Sequence, residues 1–106
     1  MKIGEAAKKA GISPGNIRFY EKKGLLKPSR EESSSYRNYT EEDVERLKRI
    51  LVLRKTDLSV ENIFLLLGGK EDPGFLLRKQ EEILENQMRE LEGSLLLCRK
   101  LEQEED

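Results

Sequence analysis

Apolar residues along this chain fall into five helical registers separated by glycines, prolines and polar clusters. Ile3, Ala6, Ala7 and Ala10 share one stripe at spacings of three and four, which predicts a first helix over 3–10, ended by Gly11. Ser13 then offers an N-cap oxygen and Pro14 takes the first helical position, where its missing N–H costs nothing, so a second helix starts there. Gly24 is expected to end it in left-handed geometry. Ala7, Gly11 and Ile17 are spaced so that a small residue on one helix meets a branched one on the next across a glycine turn. That spacing suits a helix-turn-helix and an ordinary αα-hairpin equally, and these three residues do not separate the two.

The segment that follows favours the helix-turn-helix. Leu25-Leu26-Lys27-Pro28-Ser29-Arg30 leads into the polar run Glu31-Glu32-Ser33-Ser34-Ser35 and out through Tyr36-Arg37-Asn38-Tyr39, two short extended arms around a loop, which predicts a β-hairpin wing. Thr40 caps a third helix that has Glu41, Glu42 and Asp43 in its first turn. Val44, Leu47, Ile50, Leu51 and Leu53 give it an apolar face to about residue 55. A fourth helix starts at Leu58-Ser59, turns Ile63, Leu66 and Leu67 inward, and stops at Gly68-Gly69.

Asp72-Pro73 opens a last, long helix with no obvious terminator before Asp106. Leu77, Leu84, Met88, Leu91, Leu95 and Cys98 recur at sevens, fours and threes, the seam of a coiled coil. A helix with one apolar seam and a charged exterior needs a partner for that seam. No other segment is long enough to cover it, so self-association is expected. Gly93 costs about 1 kcal/mol relative to alanine, and Glu81 and Glu102 fall where the seam wants apolar residues, so the coil is expected to be imperfect.

Charge changes the picture more than size does. The 106 residues suffice for one small domain, or one domain with an appendage, and their net charge of −1 hides a split. Residues 1–58 hold 14 Lys/Arg against 9 Asp/Glu, net +5, while residues 59–106 hold 6 against 12, net −6. A basic front half can displace counterions from a phosphate backbone while an acidic distal segment stays away from it. Apolar residues at 36% and charged residues at 39% indicate much exposed helix, hence a partner surface. One cysteine and no histidine exclude an internal disulfide and a multi-ligand zinc site, and no segment has signal-peptide or membrane-span character. A cytoplasmic protein without metal or cofactor is expected. No paired carboxylates, histidine or phosphate loop suggest an enzyme.

Taken together, Ile3-Gly4-Glu5-Ala6-Ala7, Ile12-Ser13, Ile17-Arg18-Phe19-Tyr20-Glu21, Gly24-Leu25-Leu26-Lys27-Pro28, Arg30, Tyr36-Arg37-Asn38-Tyr39 and Asp43-Val44-Glu45-Arg46-Leu47 resemble the MerR (mercury-resistance regulator) family of bacterial transcription regulators. The resemblance is dense over residues 1–68, and the helix expected over 73–106 agrees with the family's dimerisation helix. It implies a mostly α fold with a small β-hairpin wing. A winged helix-turn-helix domain over 1–70 would be followed by a helix over 71–106 that forms an antiparallel coiled coil in a homodimer. The implied function is binding to a pseudo-palindromic promoter spacer and distorting it for RNA polymerase acting on the same promoter, with the effector unknown.

By the same resemblance, Ser13, Asn16, Arg18 and Tyr20 face or flank the major groove, and Arg18 is the candidate for a base edge. Tyr36, Arg37 and Tyr39 line the wing and reach phosphates, Arg30 contacts a phosphate nearby, Arg54 and Lys55 sit at a second wing, and Phe19 packs between helix and wing. Plainer readings stand beside these. Arg18 suits a solvated cation, Tyr20 a core residue with its hydroxyl at the rim, and Arg37 a partner for a nearby glutamate. Cys98 suits a small buried hydrophobe. The chain departs from the family at the wing tip, where Ser34-Ser35 stands in place of Asn-Gly. It departs again at the second wing, where Thr56-Asp57 stands in place of an apolar-Gly pair and sets a carboxylate near the phosphates. The family's usual effector part is not found before Asp106, so the chain is expected to be either truncated, the preferred reading, or one of the family's short, effector-poor members. A protein-binding module and an excisionase-like architectural factor are the rival readings, the second disfavoured by the seam from Leu77 to Cys98.

Overall fold

Five helices form among the described residues, and four of them begin at a side-chain oxygen that takes up an otherwise unpaired backbone amide. The computed structural model describes residues 1–30 and 37–105. Helix α1 spans Ile3–Ala10, α2 Pro14–Lys22, α3 Glu41–Arg54, α4 Val60–Leu67 and α5 Pro73–Glu104, with strands β1 (Ser29–Arg30) and β2 (Arg37–Asn38) between α2 and α3. Ser13 Oγ accepts from the Asn16 amide at 3.2 Å. Ser59 does the same for α4, and Asp72 for α5 ahead of Pro73. Thr40 and Asp43 form a reciprocal capping box, at 3.1 and 2.9 Å. The chain falls into two units, Met1–Glu71 and Asp72–Asp106.

In the first unit, α1 packs on α2 and α3, and α4 packs on α3. Ala6, Ala7 and Ala10 are buried, and small side chains let the α1 backbone lie close to Ile17, which is fully buried on α2. Leu25, Leu26, Val44, Leu47, Ile50, Leu58 and Ile63 complete the core. Gly24 has φ 81° and closes α2, with the Leu25 amide donating back to the Tyr20 carbonyl at 2.9 Å. A Cβ at Gly24 would also stand 3.3 Å from Phe64 Cε2, so glycine serves both backbone and packing there. Arg46 Nε donates to the Leu25 carbonyl at 2.6 Å and ties the chain leaving α2 to α3.

The two strands pair antiparallel, Ser29 opposite Asn38 and Arg30 opposite Arg37. The expected arms are thus seen as a ladder of two residues each. The expected loop, with Glu31, Glu32, Ser34, Ser35 and Tyr36, lies outside the described residues. Tyr39 follows β2 and is 1% exposed. Its hydroxyl donates to the Glu21 carboxylate on α2, and its amide donates to the Met1 carbonyl at 2.8 Å. The Met1 amino group donates in turn to the Tyr39 carbonyl at 2.7 Å and to Asn38 Oδ1 at 2.8 Å.

The turn between α3 and α4 contains Asp57 at φ 63°, the one non-glycine residue with positive φ among the described residues. Around it, Thr56 Oγ1 donates to the Leu53 carbonyl at 2.6 Å and Arg54 Nη1 to the Leu58 carbonyl at 2.7 Å. The turn keeps a left-handed position that costs an L-residue energy, though aspartate tolerates it better than most.

The second unit is α5, 32 residues and about 48 Å long. Leu77, Met88, Leu91, Leu95 and Cys98 are exposed along it, and Leu84 is partly covered. Ile83, Leu96, Leu97 and Leu101 are exposed as well, so the apolar surface is wider than the expected seam. No helix among the described residues is long and apolar enough to cross a membrane.

Two outcomes are expected. Tyr39→Phe removes a donor to a carboxylate in a buried setting and should lower unfolding free energy by about 2 kcal/mol in urea titrations; unchanged stability would show that the bond carries nothing. Asp57→Gly releases the left-handed strain at some entropic cost and should raise stability by about 0.5 kcal/mol, read as a higher urea midpoint at constant slope.

Candidate nucleic-acid interface

Helix α2 divides cleanly into two faces. Ile17 and Tyr20 are buried, with Glu21 partly covered beside them, while Gly15, Asn16, Arg18, Phe19, Lys22 and Lys23 are exposed. The division follows from the 3.6-residue period: the apolar residues at 17 and 20 bind the helix to the core and turn 15, 18, 19 and 22 outward. Ser13 is exposed too, its Oγ already engaged as the N-cap of this helix. The exposed face therefore carries an amide side chain, a guanidinium and two ammonium groups on a rigid element. A major groove about 12 Å wide admits such a helix.

Other cations are distributed around this unit. Lys27 is exposed just after α2. Arg54 and Lys55 are exposed at the end of α3, with one Arg54 nitrogen already donating to the Leu58 carbonyl. Arg30 and Arg37 sit opposite each other in the strand ladder, and Tyr36 lies outside the described residues. Lys9 is engaged otherwise: its ammonium is 2.6 Å from Glu41 Oε1, joining α1 to the start of α3. The hydrogen bond and charge of Glu41 hold the Lys9 pKa above its usual value, and Lys9 lowers that of Glu41 in the same way.

The structure bears on three of the placements that the resemblance implies. Tyr20 is 7% exposed and belongs to the core, its ring centroid 5.6 Å from that of Phe19. Tyr39 is a core residue whose hydroxyl is directed to Glu21 rather than outward to a phosphate. Both carry enough apolar ring to be worth burying, and burial prevailed. Phe19, expected between helix and wing, is 43% exposed, with Lys23 Nζ 5.7 Å from its ring centroid, and the wing loop it is expected to meet lies outside the described residues. Lys22 and Lys23 were missed as members of the exposed face. A helical wheel anchored on Ile17 and Tyr20 would have found Lys22, four residues on from Arg18.

The face holds no group suited to covalent chemistry, and no cluster of three or more His, Cys, Asp or Glu able to hold a metal occurs among the described residues. What it offers is charge and hydrogen-bond donors on a fixed helix.

Comparison with known proteins places this arrangement. Residues 1–70 match the family model of the MerR HTH family regulatory protein. A probable heavy metal-dependent transcriptional regulator of Haemophilus influenzae is 47% identical over 73 residues, which cover 69% of this chain and 57% of that protein. The chain spans about half the length of several of the curated relatives it matches. Among solved structures, the transcription regulator PbrR691 from Ralstonia metallidurans CH34, in complex with lead(II), superimposes with a TM-score of 0.79 at 33% identity, covering 95% of this chain and 81% of that one. HiNmlR, described as a MerR family regulator lacking the sensor domain and bound to promoter DNA, superimposes at 0.62 with 30% identity, covering 90% and 77%. With its helix-turn-helix unit matched from end to end, the chain belongs to the MerR family of helix-turn-helix regulatory proteins.

Proposed function

We propose that the chain acts as a homodimeric, DNA-binding transcription regulator that seats α2 of each copy in the major groove of a pseudo-palindromic promoter spacer. The observation that carries this reading is the outer face of α2, where Asn16, Arg18 and Lys22 are exposed on a helix locked to the core by Ile17 and Tyr20. The likeness to HiNmlR, a relative bound to promoter DNA, supports it. Arg18 reads a base edge, for which a guanidinium fork suits guanine best. Asn16, Ser13 and Lys22 flank it. Arg30, Arg37 and Tyr36 form the wing with β1 and β2, and Arg54 and Lys55 a second phosphate contact, beside which Asp57 weakens the local field. Tyr20 and Tyr39 are left out of the DNA contacts and act as supports for α2.

Pairing is proposed through α5, in an antiparallel coiled coil along Leu77, Leu84, Met88, Leu91, Leu95 and Cys98. Apolar side chains exposed over this length of helix need cover, and a second copy has the matching length and pattern. Two copies present two α2 helices to one duplex. Distortion of the spacer, to the benefit of RNA polymerase on the same promoter, needs phosphate contacts on both sides of the bend to offset a few kcal/mol of deformation.

The test uses duplexes selected from a random pool by the protein itself. Affinity for a selected duplex should fall about a hundredfold or more between about 50 and about 200 mM salt. Arg18→Ala should reduce the preference for selected over random duplex by about 1–3 kcal/mol. Equal affinity of the unmutated protein for both duplexes would overturn the reading. Leu91→Glu should sediment as a monomer where the unmutated chain sediments as a dimer, and should bind a two-half-site duplex no better than a one-half-site duplex.

A further inference from the structure

Two features of the exposed α2 face are only partly accounted for by contacts among the described residues. Gly15 lies in the first turn of a helix, where alanine would be favoured, yet a Cβ there would meet only Ser13 Oγ at 3.8 Å. One turn on, Phe19 is 43% exposed, with Arg18 and Lys22 on one flank and Lys23 on the other. Neither the backbone nor the packing of the described residues requires a glycine at 15, and the ring at 19 meets Tyr20 at 5.6 Å between centroids yet stays 43% exposed.

The two lie on one line along the helix, since residues four apart stack on the same side. A position without a side chain followed by an exposed aromatic gives α2 a low, apolar strip bordered by cations. Glycine lets a backbone come close to a bound surface, and a phenyl ring, having neither donor nor acceptor, can select only an apolar partner. In the major groove the apolar group that distinguishes one base pair from another is the C5-methyl of thymine.

We infer that Phe19 is a specificity-determining residue that packs on a thymine methyl group in each half-site, and that Gly15 lets the first turn of α2 approach closely enough for that contact. The inference rests on the DNA-binding reading above and adds a base preference that Arg18 does not supply. The cation–π contact of Lys23, 5.7 Å from the ring centroid, helps hold the ring in place beside the phosphates.

The experiment replaces each thymine of a protein-selected duplex in turn by deoxyuridine, which removes only the methyl group. For the unmutated protein, one thymine per half-site should show a loss of about fourfold, the worth of one buried methyl. Phe19→Ala should be indifferent to that replacement, and Phe19→Leu should keep part of the loss. Gly15→Ala should shrink the methyl effect while circular dichroism reports an intact helical fold. A flat deoxyuridine scan, a selected duplex lacking a recurrent thymine, or the same penalty in Phe19→Ala would each overturn the inference. Those outcomes leave the DNA-binding reading standing as long as selected duplex is still preferred over random duplex; loss of that preference in the unmutated protein sinks both.

Discussion

A hydrogen bond made inside the first unit, from the Tyr39 hydroxyl to the Glu21 carboxylate, ties the end of β2 to the inner face of α2. A charge-assisted bond sheltered from water is worth more than its exposed counterpart, and its geometry tolerates little drift. The same tyrosine exchanges backbone hydrogen bonds with Met1, so the start of α1, the exit of the strand ladder and the C-terminal end of α2 are fixed by one residue. The orientation of the outer α2 side chains follows from that fixation together with Ile17, whose side chain is wholly enclosed.

Rigidity on the inside permits economy on the outside. Among the described residues, the exposed side chains of α2 make few bonds with one another beyond the Ser13 cap and the Lys23 contact with Phe19. Their side chains are thus available to a partner, while the backbone that carries them is not free to adjust. Surface ion pairs such as Lys9 with Glu41 add little to this, since exposed pairs are screened and hold long side chains at an entropic cost. The frame rests on buried alanine, leucine and isoleucine, and on the tyrosine just described.

Helix starts were legible because capping is local: Ser13-Pro14, Thr40 with Asp43, Ser59 and Asp72-Pro73 each announce themselves within four residues. Gly24 was legible for the same reason. The tyrosines were not. An aromatic ring with a hydroxyl suits a phosphate contact and a core with one buried acceptor equally well, and the choice at Tyr39 depends on Glu21, eighteen residues away in sequence. Phe19 misled in the opposite direction, because apolar character argues for burial and only the phase of the helix, set by Ile17 and Tyr20, turns it outward. Asp57 was visible as an oddity in the α3–α4 turn, but its left-handed backbone was not, since that conformation is imposed by Thr56 and Arg54 bonding across the turn.

The uncovered leucines of α5 have a consequence for dosage. On the pairing proposed above, stability and output would be set by abundance, because the fraction paired rises with protomer number. At scarce supply, occupancy of a target needing both copies would climb with the square of the amount made. A modest change in synthesis would then act as a threshold, before any small molecule is sensed.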